Sequence, residues 1–140
     1  LITIELEPRN ARVARSAIDT AGLADRVDLR IGAAVDVLPE IESESVAPFD
    51  MVFIDADKEN GAAYLEWAVK LSRTGSLIVI DNVVRAGAIT EENSDDPKVI
   101  GSRAALDCLS AHPEIDSTVI QTVGAKGYDG FAIAVVERLP

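Results

Sequence analysis

One cysteine, Cys108, and one histidine, His112, are all that this 140-residue sequence holds of the side chains used for disulfides and soft-metal sites. No internal disulfide can form, and a structural zinc site of thiolates and imidazoles is disfavoured. Cys108 falls with Ile100, Ala104 and Ala111 on one stripe of an expected helix, where it reads as a small buried apolar residue. His112 precedes Pro113 at that helix's end, a place where an imidazole commonly meets the last carbonyls. Positive charge is also scarce. Thirteen Lys and Arg against 24 Asp and Glu leave a net charge of −11, which opposes affinity for phosphate backbones and anionic membranes and makes nucleic acid an unlikely partner. No apolar run approaches the ~18 residues of a membrane span, and no basic-then-apolar leader opens the chain. The expectation is a soluble, cytoplasmic protein that acts on small molecules.

What is present suits one α/β core: 48% of the residues are apolar, enough for a single domain over residues 1–140. Leu1 to Leu6 alternates as a strand and stops at Pro8; Asn10 is the expected N-cap of a helix carrying Ala11, Ala14, Ala17, Ile18 and Ala21 until Gly22. Strands follow at Val27–Ile31, at Met51–Ile54, which should be buried on both faces, and at Ser76–Ile80. Between them lie a short helical turn at Ala34–Leu38 ending near Pro39, a polar loop from Glu42 to Pro48, and a helix over Glu59–Arg73 that Gly75 breaks. Tyr64, Ala68 and Leu71 share one face of that helix. Val83–Asp96 reads as a long loop with an acidic tip, and Pro97 as the first residue of a helix reaching Ala111. Thr118–Val123 and Phe131–Glu137 are joined by Gly124–Gly130, too short for a parallel crossover, so they pair antiparallel. The class is α/β: a Rossmann-like three-layer sandwich with a mostly parallel sheet and a reversed C-terminal hairpin.

Ligands of such sheets bind beyond the carboxyl ends of the strands. Glu5 stands at one such end and could accept hydrogen bonds from the two hydroxyls of a ribose, a device that nicotinamide-dependent dehydrogenases also use. Asp55 ends the next apolar run in Ile-Asp-Ala-Asp-Lys, and Asp81-Asn82 ends the one after. Two carboxylates and an amide provide only hard oxygen donors, suited to Mg²⁺ or Mn²⁺, and leave open positions for a chelating substrate.

These residues give the chain its resemblance to the cation-dependent class I O-methyltransferases, the group of catechol and caffeoyl-coenzyme A O-methyltransferases. The likeness runs from Ile4-Glu5-Leu6-Glu7-Pro8 through Gly32-Ala33-Ala34, Asp55-Ala56-Asp57-Lys58 and Asp81-Asn82 to Asp129-Gly130. It implies a fold that binds S-adenosylmethionine, with Glu5 on the ribose, Ala34 beside the adenine, and Asp57, with Asp55 close by, at the cofactor. It implies Asp55, Asp81 and Asn82 as ligands of a divalent cation, Lys58 as general base, a small phenolic or catechol-like acceptor, and a homodimer. An ordinary lysine is itself protonated at neutral pH, so Lys58 would need the positive charge of a nearby cation and of the cofactor's sulfonium to act as a base.

Two positions depart from the family pattern. Gly61 stands where a tyrosine is common, and Arg85 where an aromatic residue near the substrate is common; a guanidinium there favours an anionic or polar acceptor. The family's first strand and glycine-rich loop have no counterpart here. In the family's sheet that strand lies between the one ending at Glu5 and the one ending at Asp55, so a chain lacking it should lose order first around Leu1–Leu6 and Met51–Ile54 and hold the cofactor poorly. A tRNA-modifying methyltransferase and a non-catalytic domain of the same fold are the competing readings.

Overall fold

The computed structural model describes residues 1–125 and 127–137. The chain divides into two compact units, Leu1–Val46 and Ala47–Pro140. In the first, β1 (Ile2–Glu5), α1 (Pro8–Thr20), β2 (Asp28–Ile31) and α2 (Ala34–Ser43) follow one another, and β1 pairs in parallel with β2 from Ile2↔Asp28 to Glu5↔Ile31. The helix α1 opens at Pro8 with Glu7 at the cap, so Asn10 lies inside it and caps nothing. Proline's fixed φ and missing N–H suit the first helical position, and this outweighs the capping preference of a nearby asparagine. At its other end Gly22 takes φ +68°, as expected of a helix-ending glycine.

The helix α2 does not stop at Pro39 but continues through it to Ser43. Proline removes the bond to the Val35 carbonyl and costs about 3 kcal/mol in a helix interior. Val37 and Ile41, four residues apart, are only 6% and 2% exposed, and burying two such side chains contributes about 1.5–3 kcal/mol each. Their burial offsets the proline.

The second unit runs β3 (Phe49–Ile54), a 3₁₀ turn at Lys58–Asn60, α3 (Gly61–Lys70), β4 (Ser72–Asp81), a second 3₁₀ segment at Arg85–Thr90, α4 (Pro97–Ala111), β5 (Ile115–Gly124) and β6 (Gly127–Val136). The strands form one sheet in the order β3-β4-β6-β5, with β3 parallel to β4 and β6 antiparallel to both its neighbours. The α/β class and the closing antiparallel hairpin are thus as expected. The hairpin is longer than its sequence signals: the ladder continues through Gln121↔Gly130 to Gly124↔Gly127, so the expected loop Gly124–Gly130 is mostly strand, and its residue Lys126 lies outside the described residues. Gly130 makes the extension possible, because a Cβ there would lie 2.6 Å from the Ile120 carbonyl oxygen.

Two other boundaries move. The helix α3 ends at Lys70, and Arg73 belongs to β4, whose register against β3 shifts between Phe49↔Ser72 and Met51↔Leu77. The extra residues are tied down by Ser76, whose hydroxyl donates to the Phe49 carbonyl at 2.6 Å and accepts from the Arg73 N–H at 3.0 Å, while Gly75 supplies φ +88°. The loop expected at Val83–Asp96 contains the 3₁₀ segment and ends with Asp96 capping α4, its Oδ1 accepting from the Lys98 N–H at 2.8 Å.

One sheet face carries the core. Ser76, Ile78 and Ile80 of β4 and Ala132, Ala134 and Val136 of β6 are all buried there, and the alternation of strand side chains puts them on one side. The helices α3 and α4 pack together, and Tyr64, Leu65 and Ala68 of the first and Ala105 and Leu109 of the second are buried. On the opposite face Met51 and Phe53 are 55% and 58% exposed, so β3 is not buried on both sides; an unbroken apolar run does not by itself reveal whether both faces are covered. Nor is the expected stripe of α4 the inward one. Val99, Ser102, Ala105 and Leu109 face the core, Ile100 and Ala104 are exposed, and Cys108 is half-buried with its thiol donating to Glu66 at 3.2 Å. Both stripes have helical spacing, and the one with Val99 and Leu109 buries more apolar surface. His112 Nδ1 accepts from the Glu114 N–H at 3.2 Å instead of meeting helix carbonyls.

Candidate active site

The parallel register Ile54↔Ile80 sets the next residues, Asp55 and Asp81, at neighbouring strand ends. Lys58, in the 3₁₀ turn after β3, reaches back across both ends. Its Nζ donates to Asp55 Oδ1 and to the Asp81 main-chain carbonyl, each at 3.1 Å. Its side chain is 12% exposed, against 51% for Asp55, so the ammonium is sheltered while the carboxylate stays open to solvent. These three residues, each expected at the site, are brought within two hydrogen-bond lengths of one another.

Asn82 follows with φ +55°, and its N–H is held by Asp81 Oδ1 at 2.8 Å. A left-handed asparagine at a strand end is a directed turn, because this conformation is costly for most side chains and asparagine is one that tolerates it. The turn is locked to β6. The Val83 N–H donates to the Gly130 carbonyl at 3.0 Å, and Asp129 Oδ1 accepts from the main-chain N–H groups of Val84, Arg85 and Gly130 at 3.2, 3.0 and 2.9 Å. Arg85, at φ +56°, lines an open groove of about 610 Å³ shared with Asn82, Tyr128 and Asp129.

Asp57 sits in the same turn as Lys58 but turns to other partners. Its carboxylate accepts from the Tyr64 hydroxyl at 2.6 Å and from the Asn60 amide at 2.5 Å. Partial burial pushes this carboxyl up, but the hydrogen bonds from Tyr64 and Asn60 outweigh it and hold the group below the usual carboxylate range. In the first unit, Glu5 and Ala34 stand at the carboxyl end of the β1–β2 pair. The Gly32 N–H donates to the Glu5 carbonyl at 3.1 Å, Glu5 Oε1 accepts from the Glu7 N–H at 2.8 Å, and Ala34 is the first residue of α2.

Three contributors escape a reading of strand ends. Gly101, inside α4, lets that helix press against the Lys58 turn: a Cβ at this position would lie 2.2 Å from the Lys58 carbonyl oxygen. Tyr64 serves the core and the Asp57 carboxylate at once, and Asp129 fixes the turn after Asn82. A glycine in a helix interior is the one available signal for the first, since it costs about 1 kcal/mol unless close packing requires it.

The donor set can be judged for a cation. Among the described residues no three His, Cys, Asp or Glu side chains cluster, and the expected trio holds two carboxylates and an amide, all hard oxygen donors suited to Mg²⁺ or Mn²⁺. Lys58 Nζ, held by Asp55 Oδ1 and by the Asp81 main-chain carbonyl, places a cationic side chain at these strand ends. By donor chemistry the trio fits a small divalent cation.

A family model described as O-methyltransferase matches residues 1–132. The chain is 50% identical over 136 residues to the catechol O-methyltransferase of Mycobacterium tuberculosis, covering 97% of this chain and 60% of that protein. It is 49% identical over 137 residues to the catechol O-methyltransferase of Niastella koreensis, covering 98% of this chain and 62% of that one. The crystal structure of an O-methyltransferase from Bacillus cereus in complex with SAH superposes with a TM-score of 0.94 at 51% identity, over 97% of this chain and 62% of that chain. The chain thus spans about three fifths of the length of these relatives. With strand-end acids, interposed lysine and closing hairpin in one sheet, and with matches running over nearly all of its residues, this chain belongs to the O-methyltransferase family.

Proposed function

We propose that the full-length protein transfers the methyl group of S-adenosylmethionine to a hydroxyl of a small phenolic, catechol-like acceptor. The observation that carries this reading is Lys58 Nζ, sheltered and 3.1 Å from both Asp55 Oδ1 and the Asp81 carbonyl at the carboxyl edge of β3 and β4. Membership of the O-methyltransferase family and the names of the relatives support it.

The cofactor already carries an activated methyl group, so the protein must bind, orient and manage one proton. Glu5 offers its carboxylate to the ribose hydroxyls and Ala34 borders the adenine, while Asp57, kept ionised by Tyr64 and Asn60, faces the cofactor together with Asp55. Asp55, Asp81 and Asn82 would hold a Mg²⁺ or Mn²⁺ ion. When bound, that ion supplies Lewis acidity that makes the acceptor hydroxyls more acidic. The need is real: a phenol of pKa ~10 is about 0.1% ionised at neutral pH, a deficit of roughly 4 kcal/mol. With the cation and the cofactor's sulfonium nearby disfavouring its charged form, Lys58 as the neutral amine would take the departing hydroxyl proton at Nζ and become the ammonium, and its two oxygen partners aim it at the strand ends. The net charge of −11 favours a small-molecule acceptor over nucleic acid.

The test is an assay of the purified full-length protein with S-adenosylmethionine, catechol and Mg²⁺, following methylated catechol and S-adenosylhomocysteine together. Equal amounts of the two products are expected. Tight cofactor binding with no methylated product from any phenolic acceptor would overturn the proposal.

A further inference from the structure

Arg85 is a half-buried cation of the second unit whose guanidinium meets no acid among the described residues; Arg103, also half-buried, donates instead to the main-chain carbonyls of Ile89, Glu91 and Glu92. The Nε of Arg85 is buried and has no hydrogen-bond partner among the described residues. Acidic groups are plentiful in this chain, 24 against 13 basic ones, so a sheltered arginine whose buried Nε meets neither a carboxylate nor a carbonyl stands out. The acid in its own groove, Asp129, spends Oδ1 on three main-chain N–H groups and thereby fixes the Arg85 backbone. A buried donor left unmatched is costly, and such a group calls for an acceptor supplied from elsewhere.

The backbone around Arg85 is built to keep it in place. Arg85 and Ala86 both have positive φ, near +55°, a conformation that persists in such side chains only where the surroundings enforce it. The enforcement comes from Asp129 and from Tyr128, whose hydroxyl lies so close over Gly87 that a Cβ there would be 2.3 Å from it. Arg85 and Asn82 line one groove, and Asn82 directly follows the residue whose carbonyl holds Lys58.

We infer that Arg85 selects acceptors that carry an anionic group, a carboxylate on the ring that bears the vicinal hydroxyls, by pairing its guanidinium with that carboxylate. This inference rests on the O-methyltransferase reading and narrows it to a substrate class: hydroxylated aromatic acids. A carboxylate provides the two-oxygen acceptor that a guanidinium fork matches, and in the groove it neutralises a charge that the protein leaves unpaired. The hydroxyls then lie toward Asn82 and Lys58.

The experiment compares 3,4-dihydroxybenzoate with catechol in the full-length enzyme. The ratio of their kcat/KM values should fall about 10- to 100-fold in Arg85→Gln, the range for losing a charge-assisted hydrogen bond. The loss should lie mainly in KM, and Arg85→Lys, which keeps the charge without the fork, should lower the ratio less. Calorimetric titration of both acceptors in the presence of S-adenosylhomocysteine gives a readout free of turnover, and Arg85→Gln should weaken dihydroxybenzoate selectively. A ratio and relative affinities unchanged by Arg85→Gln, in an enzyme that still methylates both acceptors, would overturn the role of Arg85 alone. Absence of methyl transfer to either acceptor by the parent enzyme would instead overturn the underlying reading, and this inference with it.

Discussion

Gly101→Ala puts local preference and packing in direct opposition. Alanine in a helix interior is worth about 1 kcal/mol more than glycine, through backbone entropy alone, so propensity predicts a more stable protein. The geometry predicts the reverse. The new methyl would lie 2.2 Å from the Lys58 oxygen, 2.6 Å from the Lys58 carbonyl carbon and 2.7 Å from Glu59 Cα, where ordinary contact begins at 3.4 Å. All three atoms are backbone, so no side chain can rotate away, and α4 and the Lys58 turn must separate by about 1 Å. Overpacking of this kind costs about 1–3 kcal/mol. With the propensity gain of about 1 kcal/mol deducted, a net loss of up to about 2 kcal/mol remains. The displaced segment carries Lys58 away from Asp55 and the Asp81 carbonyl, and a misplacement of about 1 Å can lower turnover about 100-fold. Urea denaturation and initial rates on the full-length protein measure both effects. A raised denaturation midpoint with undiminished turnover would refute the reasoning.

Pro39→Ala should restore the hydrogen bond to the Val35 carbonyl and stabilise the protein by about 1–3 kcal/mol; a lowered urea midpoint would contradict the account of α2. Tyr64→Phe removes a hydrogen bond to the Asp57 carboxylate and should cost about 1 kcal/mol at neutral pH. Because the Asp57 carboxyl is held below its usual range, that stabilisation is complete above the unfolded carboxylate pKa and is lost as pH falls through the folded value. The gap between Tyr64→Phe and parent should therefore narrow below about pH 4, and a gap constant down to acid unfolding would tell against it. Burial, with the Glu66 carboxylate beside it, pushes the Cys108 thiol up to about 11. At pH 8 its alkylation by iodoacetamide should be roughly 200-fold slower than that of a free thiol. A reactivity midpoint near pH 8.5 would show the thiol to be unperturbed.

The fold class was legible because the strands and helices carry different periods and are punctuated by Pro8, Gly22 and Pro97, each of which acts as a local rule requires. The strand-end acids were legible for a related reason, since a charge that ends an apolar run in an α/β chain has few places to go but the carboxyl edge of the sheet. Asp55, Lys58 and Asp81 meet there through hydrogen bonds spanning up to 23 residues, and strand order alone suffices to bring them together. Where sequence reasoning failed, tertiary contacts decided. Burial of Val37 and Ile41 carries α2 through Pro39, the choice between two stripes of α4 depends on α3, and the length of the last hairpin depends on how closely Gly130 approaches Ile120. Asp129 is marked in the sequence only by the likeness at Asp129-Gly130, and its task is hidden there, because it holds N–H groups 44 and 45 residues away.

The central claim is that Asp55, Asp81 and Asn82 make methyl transfer depend on a divalent cation, and its most direct test is turnover of the full-length enzyme and of Asp81→Ala with Mg²⁺ or with chelator. The account predicts cation-dependent activity in the parent, its loss in Asp81→Ala, and an affinity for S-adenosylmethionine close to the parental one in the variant. Equal turnover of parent and variant, the same with chelator as with Mg²⁺, would contradict it.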